Sequence, residues 1–272
     1  MRTSRLAGLV AAGAMLLTLA APATAASNAQ IRVLHGSPDA PAVDVYANGG
    51  KILSNIAFGT LTPYLAVPAN TYAVRVCVAG SDGTVDANCP IIASLTFDAG
   101  KKYTIAASDV VKHIKADVFV DGPATAGKAS VRVVHLSSGT PAVDVLTQDG
   151  MTKVFDNVAY PNATAYGVLA PATYDLKVCL HSDNTACPSA VDPAPLALAA
   201  NTAYSVFAIG ALDTKDGKLA GLKLVVGVDD VVVAPTDTVP AGSSPAAFLL
   251  VLAGLALAGL ATRRVLATAA TR

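Results

Sequence analysis

The chain has 272 residues with 19 basic and 19 acidic side chains, so its formal net charge is zero. It contains neither glutamate nor tryptophan, which excludes the glutamate-dependent zinc-protease motif and a pair of catalytic glutamates as in many glycosidases. Residues 27–245 hold three arginines, eleven lysines and nineteen aspartates, a formal charge of −5. We therefore expect no basic surface and no nucleic-acid partner.

The first 26 residues are predicted to be a secretory signal peptide. Arg2 and Arg5 give a positive start, an apolar run covers residues 6 to about 20, and the tripeptide Ala-Thr-Ala at 23–25 is a small-x-small cleavage site. An uncleaved amino-terminal anchor is the alternative, but the apolar run is short and a good cleavage site ends it. The sequence thus predicts export.

The exported region contains an internal repeat. Residues 32–45 read RVLHGSPDAPAVDV and residues 132–145 read RVVHLSSGTPAVDV, so nine of fourteen positions are identical at an offset of one hundred. A period of this length is typical of a duplicated domain rather than a solenoid. We therefore predict a first repeat over residues 27–122 and a second repeat over residues 123–234.

Within each repeat, short apolar stretches are separated by Gly, Pro, Asn and Asp, the pattern of strands joined by turns. No amphipathic helical stretch of useful length is present. The pattern predicts an all-β chain with two tandem antiparallel β-sandwich (immunoglobulin-like) domains, each expected to fold on its own. The strands of the first repeat are predicted near residues 30–35, 42–47, 51–54, 62–67, 71–79, 91–97, 102–108 and 115–121.

The carboxyl end is predicted to anchor the chain in a membrane. A stalk linker over residues 235–245 leads to an apolar segment at 246–262, of which sixteen residues would reach about 24 Å across a hydrocarbon core of about 30 Å. Arg263 and Arg264 follow and place the tail, residues 263–272, in the cytoplasm. A buried helix of a soluble domain and a processed sorting signal are the alternatives, and the sortase motif Leu-Pro-x-Thr-Gly is absent.

The four cysteines are predicted to form one disulfide in each repeat. Because exported proteins meet an oxidising environment, we expect bridges between Cys77 and Cys89 and between Cys179 and Cys187. The alternative is one zinc site made from all four cysteines. No C-x-x-C spacing exists and the two pairs belong to different repeats, which argues against zinc.

Each repeat carries a histidine at the end of its first predicted strand. His35, followed by Asp39 and Asp44, admits a catalytic or metal-binding interpretation. Strand alternation, however, turns His35 towards the core, and the second repeat has His135 with Gly139 in place of Asp39. A structural histidine bonded to its neighbours is therefore the prediction.

An arginine and an aspartate also recur. If their strands lie close together, Arg32 with Asp44 and Arg132 with Asp144 are predicted to form partly buried ion pairs with a structural role.

Other chemistry is not indicated by the sequence. There is no Gly-x-Ser-x-Gly nucleophile motif and no glycine-rich phosphate loop leading into a helix. The acidic turns at 82–86, 213–217 and 229–230 lack the spacing of a calcium loop and are predicted to be solvated turns. We expect no catalytic residue, cofactor or metal site.

The stretch from His35 to Tyr46, HGSPDAPAVDVY, resembles the bacterial family catalogued as domain of unknown function 4397. The first repeat matches this pattern fully and the second in part. The resemblance implies a secreted or surface-anchored protein with a β-sandwich and no assigned activity.

The sequence as a whole predicts a non-enzymatic surface protein. We expect an exported, membrane-anchored bacterial chain with a structural or adhesion role and an unknown extracellular protein or glycan as partner. A ligand-binding module for carbohydrate or peptide is the alternative, and an enzyme of unrecognised type is the third possibility.

Overall fold

The computed structural model describes residues 28–181, 189–191, 193–212 and 221–233, and this part of the chain is all-β, as predicted, with no α-helix. The predicted signal peptide, stalk and membrane anchor lie outside it. Within the described residues, no helix has both the length and the apolar character needed to span a membrane.

The first repeat forms eight strands at the positions that the sequence predicted. They assemble into two four-stranded sheets, with the orders β4-β1-β7-β8 and β3-β2-β5-β6. Two short 3-10 turns at Asp86–Asn88 and Val111–His113 interrupt the connections. The strands are β1 (Ala29–His35), β2 (Val43–Ala47), β3 (Gly50–Ile56), β4 (Leu65–Val67), β5 (Asn70–Val78), β6 (Ile91–Phe97), β7 (Lys102–Ser108) and β8 (Lys115–Asp121).

The second repeat follows the same plan with shorter, more divided strands. Its four-stranded sheets have the orders β12-β9-β17-β18 and β11-β10-β14-β15, and β13 pairs with β16. The strands are β9 (Ala129–His135), β10 (Val143–Thr147), β11 (Lys153–Val158), β12 (Gly167–Leu169), β13 (Ala172–Tyr174), β14 (Leu176–Leu180), β15 (Ser189–Val191), β16 (Leu196–Leu198), β17 (Thr202–Ile209) and β18 (Lys223–Val231).

The prediction of purely antiparallel sheets was wrong in one respect. In the first repeat β1 pairs in parallel with β7, from Gln30 opposite Lys102 to His35 opposite Ala107. In the second repeat β9 pairs in parallel with β17 in the same way. The two members of each pair are separated by most of the repeat, and such a long connection can bring strands together in parallel, which a hairpin cannot.

The two sheets of each repeat enclose one apolar core, which gives a sandwich-like arrangement. In the first repeat, Val33 from one sheet packs with Val43, Val45 and Val76 from the other. In the second repeat, Val133 packs with the equivalent valines of β10 and β14. Valine is favoured on a pleated surface that is covered on one face, so the sequence supports this arrangement locally.

A third apolar cluster joins the two repeats. Leu34 and Ala106 of the first repeat pack with Val134, Phe207 and Ile209 of the second, and all five are fully buried. The described residues up to Val232 accordingly belong to one compact unit. This interface explains why β1, β7, β9 and β17 carry apolar side chains on both faces: one face meets the sandwich core and the other meets the second repeat.

Each sandwich core also contains a cavity. The cavity of the first repeat has a volume of about 200 Å³ and that of the second about 220 Å³. The buried residues of these cores are largely valines, whose short side chains leave the space between the sheets incompletely filled.

The predicted disulfide of the first repeat is confirmed, since Cys77 at the end of β5 is bonded to Cys89. Cys179 in β14 is also disulfide-bonded. Its predicted partner, Cys187, lies outside the described residues.

Replacing both Cys77 and Cys89 with serine is expected to lower the free energy of unfolding by about 2–3 kcal/mol, because the bridge restricts a short loop of the unfolded chain. Thermal unfolding of the variant and of the reduced parent chain would measure the loss. Equal melting temperatures for oxidised and reduced protein would contradict this expectation.

Candidate functional site

The most unusual polar group in the structure lies between the two repeats, and its centre is Arg32. This side chain is 3% exposed. Its Nε donates to Thr104 Oγ1 at 2.8 Å and its Nη1 donates to the carbonyl oxygen of Val228 at 2.9 Å. Its Nη2 donates to Asp229 of the other repeat, and the guanidinium lies 4.7 Å from the ring centre of Tyr64. Every nitrogen of the guanidinium therefore has a hydrogen-bond partner, and an aromatic ring lies against one of its faces.

Arg132 repeats this arrangement in the opposite direction. Its Nε donates to Ser205 Oγ at 2.7 Å, its Nη1 donates to the carbonyl oxygen of Val120 at 2.8 Å, and its Nη2 donates to Asp121. The guanidinium lies 4.9 Å from the ring centre of Tyr166. Each arginine thus forms an ion pair with an aspartate of the other repeat.

The two aspartates are held by hydroxyl groups of their own repeats. Asp121 accepts hydrogen bonds from Tyr64 and from Thr104 Oγ1, the latter at 2.8 Å. Asp229 accepts from Tyr166 Oη at 2.6 Å and from Ser205 Oγ at 2.7 Å. We call these residues the inter-repeat ionic cluster: Arg32, Tyr64, Thr104, Asp121, Arg132, Tyr166, Ser205 and Asp229.

Burial governs the protonation of this cluster. It raises the pKa of the Tyr64 and Tyr166 phenols well above the ordinary range, and the hydrogen bonds that they donate to carboxylates add to the effect. Burial also raises the pKa of Asp229, against the opposing influence of Tyr166, Ser205 and Arg32. Two arginines and two aspartates give a formal charge of zero, which is the condition under which buried charges are tolerated.

Gly227 makes room for this cluster. A Cβ atom at this position would lie 2.6 Å from Nη1 of Arg32 and 2.5 Å from Cδ2 of Leu61. Both distances are too short, so a side chain here would displace the buried guanidinium. The glycine in the middle of β18 is therefore explained by a close approach between the repeats.

The predicted pairs Arg32 with Asp44 and Arg132 with Asp144 were wrong. Arg32 lies on β1 and Asp44 on β2, which belong to different sheets of the sandwich. Each side chain points away from the core valines that flank it, so the two point to opposite outer faces. The same geometry separates Arg132 from Asp144.

The carboxylate of Asp44 instead forms hydrogen bonds on the outer face of its own sheet. It accepts from Lys51 Nζ at 2.6 Å, from the Asn55 backbone at 2.8 Å and from the Gly80 backbone at 3.1 Å. The Lys51 bond first, and then the Asn55 bond, lower the pKa of Asp44 to about 2. Asn55 adopts the left-handed conformation, with φ of 53°, which turns its N–H towards the carboxylate.

Asp144 has the equivalent position in the second repeat. Burial opposes its ionisation, but bonds from the Asn157 backbone at 2.7 Å, Lys153 at 2.8 Å and His181 at 2.9 Å outweigh burial and lower its pKa to about 2. Asn157 is also left-handed, with φ of 51°. The recurring Val-Asp-Val sequence thus supplies a carboxylate that fixes a strand connection.

Asp44→Asn is expected to lower the free energy of unfolding at pH 7 by about 1.5–3 kcal/mol, the usual range for hydrogen bonds to a charged group. The folded-state pKa of Asp44, about 2, lies below its ordinary value of 3.8. The carboxylate therefore stabilises the fold above about pH 4, and this contribution is lost as the pH falls towards 2. The difference between parent and variant should shrink over that interval.

Urea denaturation between pH 7 and pH 2 would measure this difference. Asp98→Asn is the matched control, because Asp98 is exposed and paired with Lys101, so its loss should cost much less than the loss of Asp44. A difference between parent and Asp44→Asn that stays constant from pH 7 to pH 2 would contradict the assignment.

His35 and His135 are both fully buried. His35 Nε2 lies 3.0 Å from the carbonyl oxygen of Pro41, and His135 Nε2 lies 3.2 Å from that of Pro141, so each Nε2 carries the proton and donates. Burial lowers the pKa of both imidazoles. Each histidine therefore remains neutral and links the end of a strand to the proline turn that follows it.

One group of side chains in the described part of the chain has the composition of a metal site: Asp144, Asp156 and His181. The Lys153 ammonium lies 2.8 Å from Asp144 and 2.6 Å from Asp156. A cation from the protein thus already neutralises these carboxylates. We interpret the group as a salt-bridged cluster in which Lys153 supplies the positive charge.

Sequence reasoning missed the partners of both arginines, and its prediction of a solvated turn at 229–230 was wrong, because both residues lie in β18 and Asp229 is buried. The signal was present in the repeat itself: Val-Phe-Val-Asp at 118–121 matches Val-Gly-Val-Asp at 226–229, and Tyr64 matches Tyr166. A systematic alignment of the two repeats would have placed an aspartate at the end of each last strand.

Comparison with solved structures gives weak matches. The C-terminal domain of AlgF from P. aeruginosa matches at 22% identity over 38% of this chain and 98% of that domain, with a TM-score of 0.28. The Bacillus anthracis TIE protein matches at 8% identity over 76% of this chain and 32% of that chain, with a TM-score of 0.22. This chain therefore spans about a third of the second protein, and TM-scores this low do not establish a shared function.

No curated protein matches the chain. The sequence profile of one family does match it, in two segments that cover most of the described residues, 29–146 and 129–240. These segments contain both copies of the His-to-Val-Asp-Val motif and every member of the inter-repeat ionic cluster, and they confirm the resemblance seen in the sequence. The chain therefore belongs to the family described as domain of unknown function (DUF4397).

Proposed function

We propose that this chain is an exported, non-enzymatic protein of the bacterial cell envelope. Its two immunoglobulin-like repeats, residues 27–122 and 123–234, would stand outside the plasma membrane on the stalk at 235–245, anchored by the segment at 246–262. The Cys77–Cys89 disulfide carries this proposal. Disulfides persist in oxidising compartments and are rare in a reducing cytosol, so the bridge fits the signal-like sequence at residues 1–26.

The signature motif supports a non-enzymatic role. His35 is buried, bonded to a backbone carbonyl and lowered in pKa. Asp44 accepts hydrogen bonds from a lysine and from two backbone N–H groups. A general acid or base must reach the proton that it transfers. Because His35 and Asp44 are held in this way, they are suited to stabilising the fold rather than to transferring a proton to or from a substrate.

The last strand of each repeat offers a surface for interaction. Both β8 and β18 lie at the edge of their sheets among the described strands. Val118 and Val120 on β8, and Val226 and Val228 on β18, are exposed. Because the carbonyl oxygens of Val120 and Val228 already accept hydrogen bonds from Arg132 and Arg32, these strands would meet another chain mainly through their exposed aliphatic side chains. This feature supports an extracellular protein partner over a glycan.

The proposal is tested by protease treatment of intact cells that express the full chain with a tag at its cytoplasmic end. We expect the ectodomain to be removed and a small tagged fragment to remain protected. Thiol alkylation before lysis should leave Cys77 and Cys89 unmodified until a reductant is added. Recovery of the full-length chain from the culture medium, or alkylation of both cysteines without reductant, would overturn the proposal.

A further inference from the structure

The cavities in the two sandwiches occupy equivalent places. In the first repeat the cavity is bounded by β1, β5 and β7, at Val33, Val76 and Ala107. In the second it is bounded by β9, β14 and β17, at Val133, Val178 and Ala208. The pairing registers make Ala107 and Ala208 counterparts, since each lies opposite the histidine of its repeat. Both copies therefore hold space at the same position, and the residues at these three equivalent sites are the same.

We propose that each sandwich binds the end of an unbranched hydrocarbon chain, such as a medium-length acyl or alkyl group, in this cavity. The inference rests on core packing and does not depend on whether the chain is exported. It adds a ligand class that neither the family description nor the proposed surface role contains.

The lining leaves no polar group free for a ligand in the first repeat. Apart from Tyr72, every side chain along that cavity is aliphatic or phenyl. The Tyr72 hydroxyl donates to the carbonyl oxygen of Pro68 at 2.8 Å, and in the second repeat Tyr174 donates to the carbonyl oxygen of Ala170 at 2.9 Å. A sugar or peptide would lose its hydrogen bonds to water here without replacement, whereas a hydrocarbon would not.

The size and shape favour a chain over a compact ring. A cavity of about 150 Å³ is enough to bind benzene and stays free of water when its walls are apolar. Both cavities are larger than this. In the first repeat the walls follow β5 from Tyr72 to Val76, about 13 Å at the rise of a strand. A slot that runs along the strands matches an extended chain.

The opening lies at one end of the first sandwich. Val33, Val76 and Ala107 at the inner end are buried, whereas Pro68 is exposed and Ile52 is partly exposed. The β2–β3 and β4–β5 turns border this end. A ligand would therefore insert its methyl end and leave its polar head in water at the Pro68 rim.

The test uses the purified full chain and decan-1-ol that carries a photoreactive diazirine near its methyl end. After illumination, peptide mass spectrometry should locate the label on the cavity-lining strands of both repeats, and excess decan-1-ol should remove it. Decane-1,10-diol is the matched competitor. It should compete poorly, because binding would bury a hydroxyl group.

Two variants provide internal controls. Ala107→Leu should abolish labelling of the first repeat and leave the second unchanged, and Ala208→Leu should do the reverse. Ala107→Val should give an intermediate loss, and hydrogen exchange of each variant would verify that the altered repeat stays folded. The proposal would be overturned if a leucine that fills the cavity of a folded repeat left the labelling of that repeat unchanged. It would also be overturned if the label were found only on the apolar residues 246–262.

Discussion

Arg32→Met is expected to lower the free energy of unfolding by about 3–5 kcal/mol, the usual cost of removing one partner from a buried ion pair. The substitution leaves Asp229 without its guanidinium while its side chain stays fully buried. Asp229 would then have to be buried as an unpaired charge or take up a proton, and both are costly. Denaturation in urea, followed by far-ultraviolet circular dichroism at pH 7, would measure the loss.

A double-mutant cycle separates the ion pair from the general effect of substitution. Adding Asp229→Leu to Arg32→Met should restore part of the lost stability, because no unpaired charge remains. Lys101→Met is the matched surface control, since Lys101 and Asp98 are more than half exposed and such pairs are worth less than about 1 kcal/mol. If Arg32→Met cost no more than Lys101→Met, the inter-repeat ionic cluster would not stabilise the fold.

Phe207→Ala is expected to lower the free energy of unfolding by about 3–5 kcal/mol, as for other fully buried phenylalanines. Phe207 is fully buried in the apolar cluster between the repeats. The loss of its ring should therefore also reduce the coupling between them. Hydrogen exchange measured by peptide would reveal this as lost protection on β1 and β7 of the first repeat as well as on β17.

Phe97→Ala is the matched control, because Phe97 is 2% exposed but packs inside the first sandwich. Its loss should reduce protection mainly within the first repeat. If the hydrogen exchange of the first repeat were unchanged in Phe207→Ala, the repeats would be energetically independent.

The same interface leads us to expect that residues 27–122 and 128–234, produced separately, are each less stable than in the joined chain.

Much of the fold could be predicted from local sequence. The strand positions of the first repeat followed from β-branched runs between turn residues, because strand and turn preferences act over a few residues. The Cys77–Cys89 bridge followed from the placement of both cysteines in one repeat of a chain that the sequence predicts to be exported. These features depend on neighbours in the sequence, and the sequence specifies them directly.

The pairing of distant elements was not accessible in the same way. Side-chain alternation assigned Arg32 to the outer face of β1, but it does not say what covers that face. The parallel pairing of β1 with β7 and the contact of Arg32 with Asp229 join residues that are 72 and 197 positions apart. The cavities were equally hidden, because they depend on how two sheets fit together rather than on which residues form them.

The ion pairs between the repeats bear on how a chain with a single such repeat would behave. Arg32 reaches into the second repeat and Arg132 reaches into the first, so equivalent positions of the two repeats contact each other, which is the pattern of an isologous contact between similar units. A lone repeat would expose an apolar face and leave its arginine without a counter-ion. It would regain both by associating with an identical copy. The duplicated chain thus has the architecture of a covalently fused homodimer.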